Sequence, residues 1–247
     1  MIRPEPSYPP VRPNRFFFTF ASIIFIGLNF WGFHNFYLRG HGVVDQPLNP
    51  KLLLLLWVHG TALTGWIVLF FAQSCLVASR HVAWHRWLGW STAGLVPVIV
   101  VGSLWLGISA ARLNPRFAIG GIPYPRFLLV MFAEIATFAL LAGLAIIFRK
   151  RKAVHGVLMC LATMELLPPA TSRTHFFQEV FGGQGSFAAP MFLVGVVLFL
   201  LRWYLERKAD WLLAVGVAAI SGSYVLAFHL AMSDAWRPVA ERIVSIK

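Results

Sequence analysis

Residues Leu52–Ser79 read LLLLLWVHGTALTGWIVLFFAQSCLVAS, 28 residues without one Asp, Glu, Lys or Arg. About 20 such residues, at about 1.5 Å of rise each, cross a hydrocarbon core as a helix. The stretch therefore predicts a transmembrane span, bounded by Lys51 and Arg80. The same pattern recurs at Phe16–Leu38, Trp87–Ala111, Phe127–Phe148, Ala153–Ala170, Val180–Leu201 and Trp211–Ser233, each at least 18 residues long. The expectation is an all-α, polytopic membrane protein with seven spans in one transmembrane domain over 1–247. Pro168-Pro169 predicts a break at the end of the fifth span. Gly182, Gly183, Gly185 and Pro190 crowd the start of the sixth. A six-span alternative makes one of these two re-entrant.

Composition agrees. The chain is 58% hydrophobic and 12% charged, where a soluble domain carries about a quarter of its residues as charges. That excludes a cytosolic enzyme, a disordered chain and a disulfide scaffold. The two cysteines, Cys75 and Cys160, fall within spans and read as buried thiols. The net charge of +12 comes from basic residues at the run ends, where they set topology and meet anionic lipid headgroups. Lipid is the expected partner, and nucleic acid is not implied.

Seven spans place twelve Lys and Arg residues on the amino-terminal side and nine on the other. The densest cluster, Arg149-Lys150-Arg151-Lys152, sits in a short loop on the richer side. The positive-inside rule then predicts an inner-membrane protein with its amino terminus in the cytoplasm and its carboxyl terminus in the periplasm. The first run reads as a retained helix and not a signal peptide. Its leading segment is proline-rich and no small-x-small cleavage site follows.

Ionisable residues at membrane depth are the informative ones, each costing about 2.5–3.5 kcal/mol to insert. Glu134 and Glu165 are the two acids well inside spans, with His59 inside the second and His229 near the end of the seventh. Counted from the span ends, these four lie at similar depth in the outer half, and His34 sits shallower on the same side. His34, His59, Glu134, Glu165 and His229 are therefore candidates for a shared site, holding a metal or relaying protons. The competing expectation is that each side chain separately bonds a neighbouring helix and specifies packing.

On the amino-terminal side, His85 and His155 open the third and fifth spans at matching depth, a placement from which a bundle can ligate a haem iron from both faces. Contact with lipid headgroups is the competing expectation. His81 and His85, at i and i+4, clamp a metal only if the loop between them is helical.

Several segments resemble a group of uncharacterised proteobacterial multi-pass membrane proteins that carries no established activity. They are His59-Gly60 with Trp66, Leu76-Val77-Ala78-Ser79-Arg80, His85-Arg86-Trp87-Leu88-Gly89, and Leu158-Met159-Cys160-Leu161-Ala162-Thr163 with Pro168-Pro169-Ala170. More distantly, His59, His85 and His155 are similar in placement to the four-helix haem core of cytochrome b561-type proteins. That resemblance implies haem b between spans three and five, at His85 and His155. The fourth span departs from the pattern, offering Glu134 where a haem shared with span two wants a histidine.

Other chemistries lack their residues. All five lysines lie outside the spans, and Gly182-Gly183-Gln184-Gly185 lacks the Lys of a phosphate loop. No G-x-S-x-G elbow or H-E-x-x-H pair occurs. A seven-span zinc hydrolase wants two histidines on the last span, which has one. The sequence thus points to a metal- or haem-binding, redox- or proton-linked membrane protein. The alternative is a non-catalytic subunit or scaffold of a larger membrane complex.

Overall fold

The protein is seen here as a computed structural model that describes residues 15–41 and 49–245. Arg3, Arg12 and Lys247, used in the charge comparison, lie outside the described residues, as does most of the leading proline-rich segment.

The fold is all-α. Among the described residues, seven helical spans are long and apolar enough to cross a membrane. They are α1 (Phe17–Arg39), α2 (Leu53–Ala78), α3 with α4 (Val82–Gly89 and Ser91–Leu113), α5 (Tyr124–Ile147), α6 with α7 (Lys152–Met164 and Pro168–Thr171), α8 (His175–Glu206) and α9 (Trp211–Ala231). A short helix, α10 (Arg237–Ser245), follows. A two-residue hairpin, β1 (Ala118–Ile119) and β2 (Ile122–Pro123), joins α4 to α5.

The fifth span organises the bundle. Two-thirds of it is buried (67%), against 22–33% for the other six, and α6 packs against α1, α2, α5 and α9. Leu161, Met164 and Leu167 meet Phe17, Phe127, Met191 and Tyr224 in the larger core cluster. A second cluster sets Trp66 edge-on to Phe138, with ring centroids 4.9 Å apart. Lipid is as apolar as these side chains, so close packing and hydrogen bonds carry the association. Gly32 shows how close: a Cβ there would lie 2.2 Å from the Ala170 carbonyl oxygen.

The expected break is present. The α6 helix ends at Met164, Glu165 is its C-cap, and Pro168 begins α7. Tight turns bridge the gap, with Leu166 N–H donating to Thr163 O and Leu167 N–H to Met164 O. The sixth span is a full helix pair: α8 starts at His175, ahead of the expected Val180, and its glycine cluster makes a kink. Gly182 has φ 71° and ψ 179°, a conformation essentially restricted to glycine. The third span also starts earlier than expected, which puts His85 inside helix α3.

Candidate functional site

Two groups of polar side chains occupy opposite halves of the bundle. At the amino-terminal end, α3 brings His85 and α6 brings His155 together. Their ring centroids are 6.3 Å apart and their planes 81° apart. Residues 148–151 turn the chain into α6 directly after α5, which sets His155 beside the last turns of α5. His155 Nδ1 lies 2.8 Å from the Ala145 carbonyl oxygen. A carbonyl only accepts, so Nδ1 carries the proton and Nε2 keeps its lone pair. His85 hydrogen-bonds the main chain at Gln73, while its buried Nδ1 has no partner. Each imidazole is thus fixed by a backbone contact through one nitrogen and leaves the other for a ligand. Metal-bound histidines are oriented in this way.

Gln73 was not singled out by sequence. Its buried side-chain oxygen has no hydrogen-bond partner, and an amide on a long apolar helix gives no signal of its own. His81, by contrast, turns away: it precedes α3 and its Nδ1 pairs with the Ser79 hydroxyl at 3.0 Å.

In the opposite half, Glu165 is fully buried (0% exposed). Neither carboxyl oxygen has a hydrogen-bond partner. Glu134 of α5 is close enough for the two carboxyls to interact electrostatically. Tyr224 of α9 stands beside both. Its hydroxyl donates to the Glu165 main-chain oxygen at 3.4 Å and lies within hydrogen-bonding reach of the Glu134 carboxyl. Arg173, between α7 and α8, exerts its charge on His59, Tyr124 and Glu134. Its guanidinium lies over the Phe33 ring, 4.7 Å from the centroid.

The five residues expected to share this site fare differently. Glu134 and Glu165 are near enough to interact electrostatically. His59 is half-buried and pairs through Nδ1 with the Ser103 hydroxyl of α4 at 3.3 Å. His34 is exposed, with Nδ1 2.6 Å from Trp31 O, and His229 is exposed on α9. No group of three or more His, Cys, Asp or Glu side chains among the described residues is arranged to hold a metal ion. Tyr224 and Arg173 are the members that sequence reasoning missed. A tyrosine in an apolar span is ordinary core material, and Arg173 was counted as a loop charge.

Comparison with known proteins adds nothing to these observations: no family model matches the chain, and neither curated proteins nor solved structures give a match.

Proposed function

We propose that this is a redox-linked membrane protein in which His85 and His155 would hold a haem. The meeting of the two imidazoles carries the reading: α3 and α6 set them 6.3 Å apart, centroid to centroid, each held by the main chain and with one ring nitrogen left for a ligand.

Ligand count points the same way. A bare divalent ion wants about four protein ligands, and the pair offers two imidazoles. A haem iron takes four nitrogens from its macrocycle and asks the protein for the remaining two. A haem bound here would supply one-electron transfer. The chain's own part is orientation. Ala145 O and the Gln73 main chain fix the ring tautomers, and the half-buried setting of both histidines limits water. Hydrogen bonding to an axial histidine and burial are levers on redox potential.

The excess of Lys and Arg on the amino-terminal side supports an inner membrane with that side cytoplasmic. His85 and His155 then lie near the cytoplasmic surface.

Visible absorption and haem analysis of the purified full-length protein test the reading. The expected result is one haem per chain with a six-coordinate, low-spin spectrum. Either His85→Ala or His155→Ala should abolish that spectrum while the helical content is kept. Protein that is colourless, and takes up no added haem while folded, would instead support a packing subunit of a larger complex.

A further inference from the structure

A basic turn covers the His85–His155 pair. The fifth span, which α6 opens, is the most enclosed of the seven, and α6 packs against α1, α2, α5 and α9. Its amino-terminal end therefore emerges in the middle of the bundle's end face and not at the rim. The turn leading into it is Arg149-Lys150-Arg151-Lys152, and all four residues are exposed. His155 follows three residues after Lys152, about 5 Å deeper at 1.5 Å per residue.

Lipid explains the cations of the rim. Arg80 and Arg86 stand on either side of Trp84, which with Trp87 is more than 60% exposed on α3, and the headgroup level of a bilayer collects tryptophan and basic residues. Lipid does not explain the centre, because headgroups ring a bundle and the helices around α6 hold them away from the turn.

The charge of the turn is not neutralised within the protein either. Among the described residues this end of the bundle carries two acids, Glu206 and Asp210, and both face the buried guanidinium of Arg202. No ion pair among the described residues involves the turn. Arg149 Nη1 donates to Ile146 O at 3.3 Å, and Arg151 folds over the Phe148 ring, 5.4 Å from its centroid. That leaves Lys150 and Lys152 to water. Arg207 and Lys208, between α8 and α9, are exposed at the same end. The opposite end differs. There Arg112 donates to Ile243 O at 3.0 Å, Arg126 donates to Met232 O at 3.3 Å, and Arg237 pairs with Glu241 at 2.9 Å. Those arginines hold the carboxyl-terminal segment in place.

We propose that the amino-terminal end face is the docking surface of an acidic, water-soluble electron-carrier protein, with the turn 149–152 at its centre. The proposal rests on the haem reading above and names the partner of that site. One electron lost by the reduced carrier is gained by the haem, with no bond made or broken. Opposite charge suits such an encounter. It steers the two proteins together, and the small interface of a transient redox pair, under about 1,200 Å², lets them part again.

The full-length protein in phosphatidylcholine nanodiscs, which expose both faces, tests this with two fluorescently labelled probes. One is a flavodoxin of strongly negative net charge, the other cytochrome c, of positive net charge. The flavodoxin should bind and cytochrome c should not. Raising the salt from about 20 to about 200 mM should slow flavodoxin association on the order of tenfold. Lys150→Gln with Lys152→Gln should slow it about threefold or more, and Arg242→Glu, at the opposite end, should leave it unchanged. Charges in a short loop also steer insertion, so acetylating the lysines of the folded protein must give a loss at least as large. In haem-bearing protein, reduction by reduced flavodoxin should slow by the same factors. Salt-independent binding, equal binding of both probes, or a turn variant that binds like the unaltered protein overturns the proposal. So does a turn variant that binds flavodoxin normally but loses a preference for phosphatidylglycerol in the nanodisc, which would make the turn a headgroup contact. Binding is read from the label on the probe. Colourless protein that binds it thus fails the haem reading and keeps the surface, and haem-bearing protein that does not bind it fails this proposal alone.

Discussion

The imidazoles of His85 and His155 stand 6.3 Å apart, centroid to centroid, at the same end of two different spans. Neither ring is free to turn, because His155 is tied to Ala145 O at 2.8 Å and His85 to the Gln73 main chain. Oriented rings of this kind lose little freedom on binding a common ligand, which lowers the entropy cost of binding it.

Replacing one of the two by another iron ligand gives the first prediction. In His155→Met, haem should remain bound through His85 and the new thioether, and the reduction potential should rise by on the order of 100 mV. Potentiometric titration followed by visible absorption checks the direction. An unchanged potential would mean that residue 155 does not touch the iron.

How much of this was legible beforehand follows from one geometric fact. Along a span, sequence gives depth at 1.5 Å per residue, but not which way a side chain faces. In water the facing is read from an amphipathic stripe. Here the spans are apolar all round, so no stripe exists. Depth alone matched His85 with His155, whose rings pack edge to face, and Glu134 with Glu165, which interact electrostatically. Depth alone also grouped His34 and His229 with the acids, and these face outward. Arg173 was invisible for the opposite reason. It belongs to a connection, yet the short α7 and the turn after it lay its guanidinium over Phe33. The broken fifth span was legible because Pro168-Pro169 removes two consecutive backbone donors.

A buried hydrogen bond links α2 to α6 beside their apolar packing. Trp66 Nε1 donates to the Thr163 hydroxyl at 3.1 Å, and that hydroxyl donates onward to Met159 O at 2.9 Å. Thr163→Val keeps the shape and strands the indole N–H. A loss of about 1–2 kcal/mol of stability is expected, less than in water because a membrane protein's unfolded state also finds partners. Unfolding in mixed micelles by denaturing detergent measures it, and a stable variant would show that packing alone joins these helices.

Gly182 holds the kink in α8 with φ 71° and ψ 179°. Its neighbour Gly183 lies against the hairpin turn, where an added Cβ would come 3.1 Å from the Gly120 backbone. Gly182→Ala should cost about 1–3 kcal/mol, the usual cost of a side chain in that backbone region. Gly185→Ala tests a position in the same segment without the unusual φ. Thermal denaturation of the two variants should therefore separate, with Gly182→Ala melting lower. Equal melting points would place the strain elsewhere.

Arg202 falls just past the expected span Val180–Leu201, yet it lies inside α8 and is buried. Its Nη1 sits 2.8 Å from Asp210 Oδ2 and its Nε 3.4 Å from Glu206 Oε1. The guanidinium carbon lies 5.2 Å from the centroid of Phe17 and 5.5 Å from that of Phe18. This one cation therefore joins α1, α8 and the start of α9. Asp210 does a second job: its Oδ1 accepts from Leu213 N–H at 3.0 Å and caps α9. Arg202→Met keeps much of the side-chain volume but removes the guanidinium that faces Asp210 and Glu206. A loss of about 3 kcal/mol is expected, the low end for a broken buried pair because both acids keep some contact with solvent. Adding Asp210→Asn to that variant removes a stranded charge yet retains the capping oxygen, so most of the stability should return. Asp210→Asn alone should cost less than Arg202→Met, because Glu206 still faces the guanidinium. A double-mutant cycle on unfolding free energies reads the coupling. Additive losses would mean that Arg202 holds this end of the bundle by its contacts with Phe17 and Phe18 and not by charge.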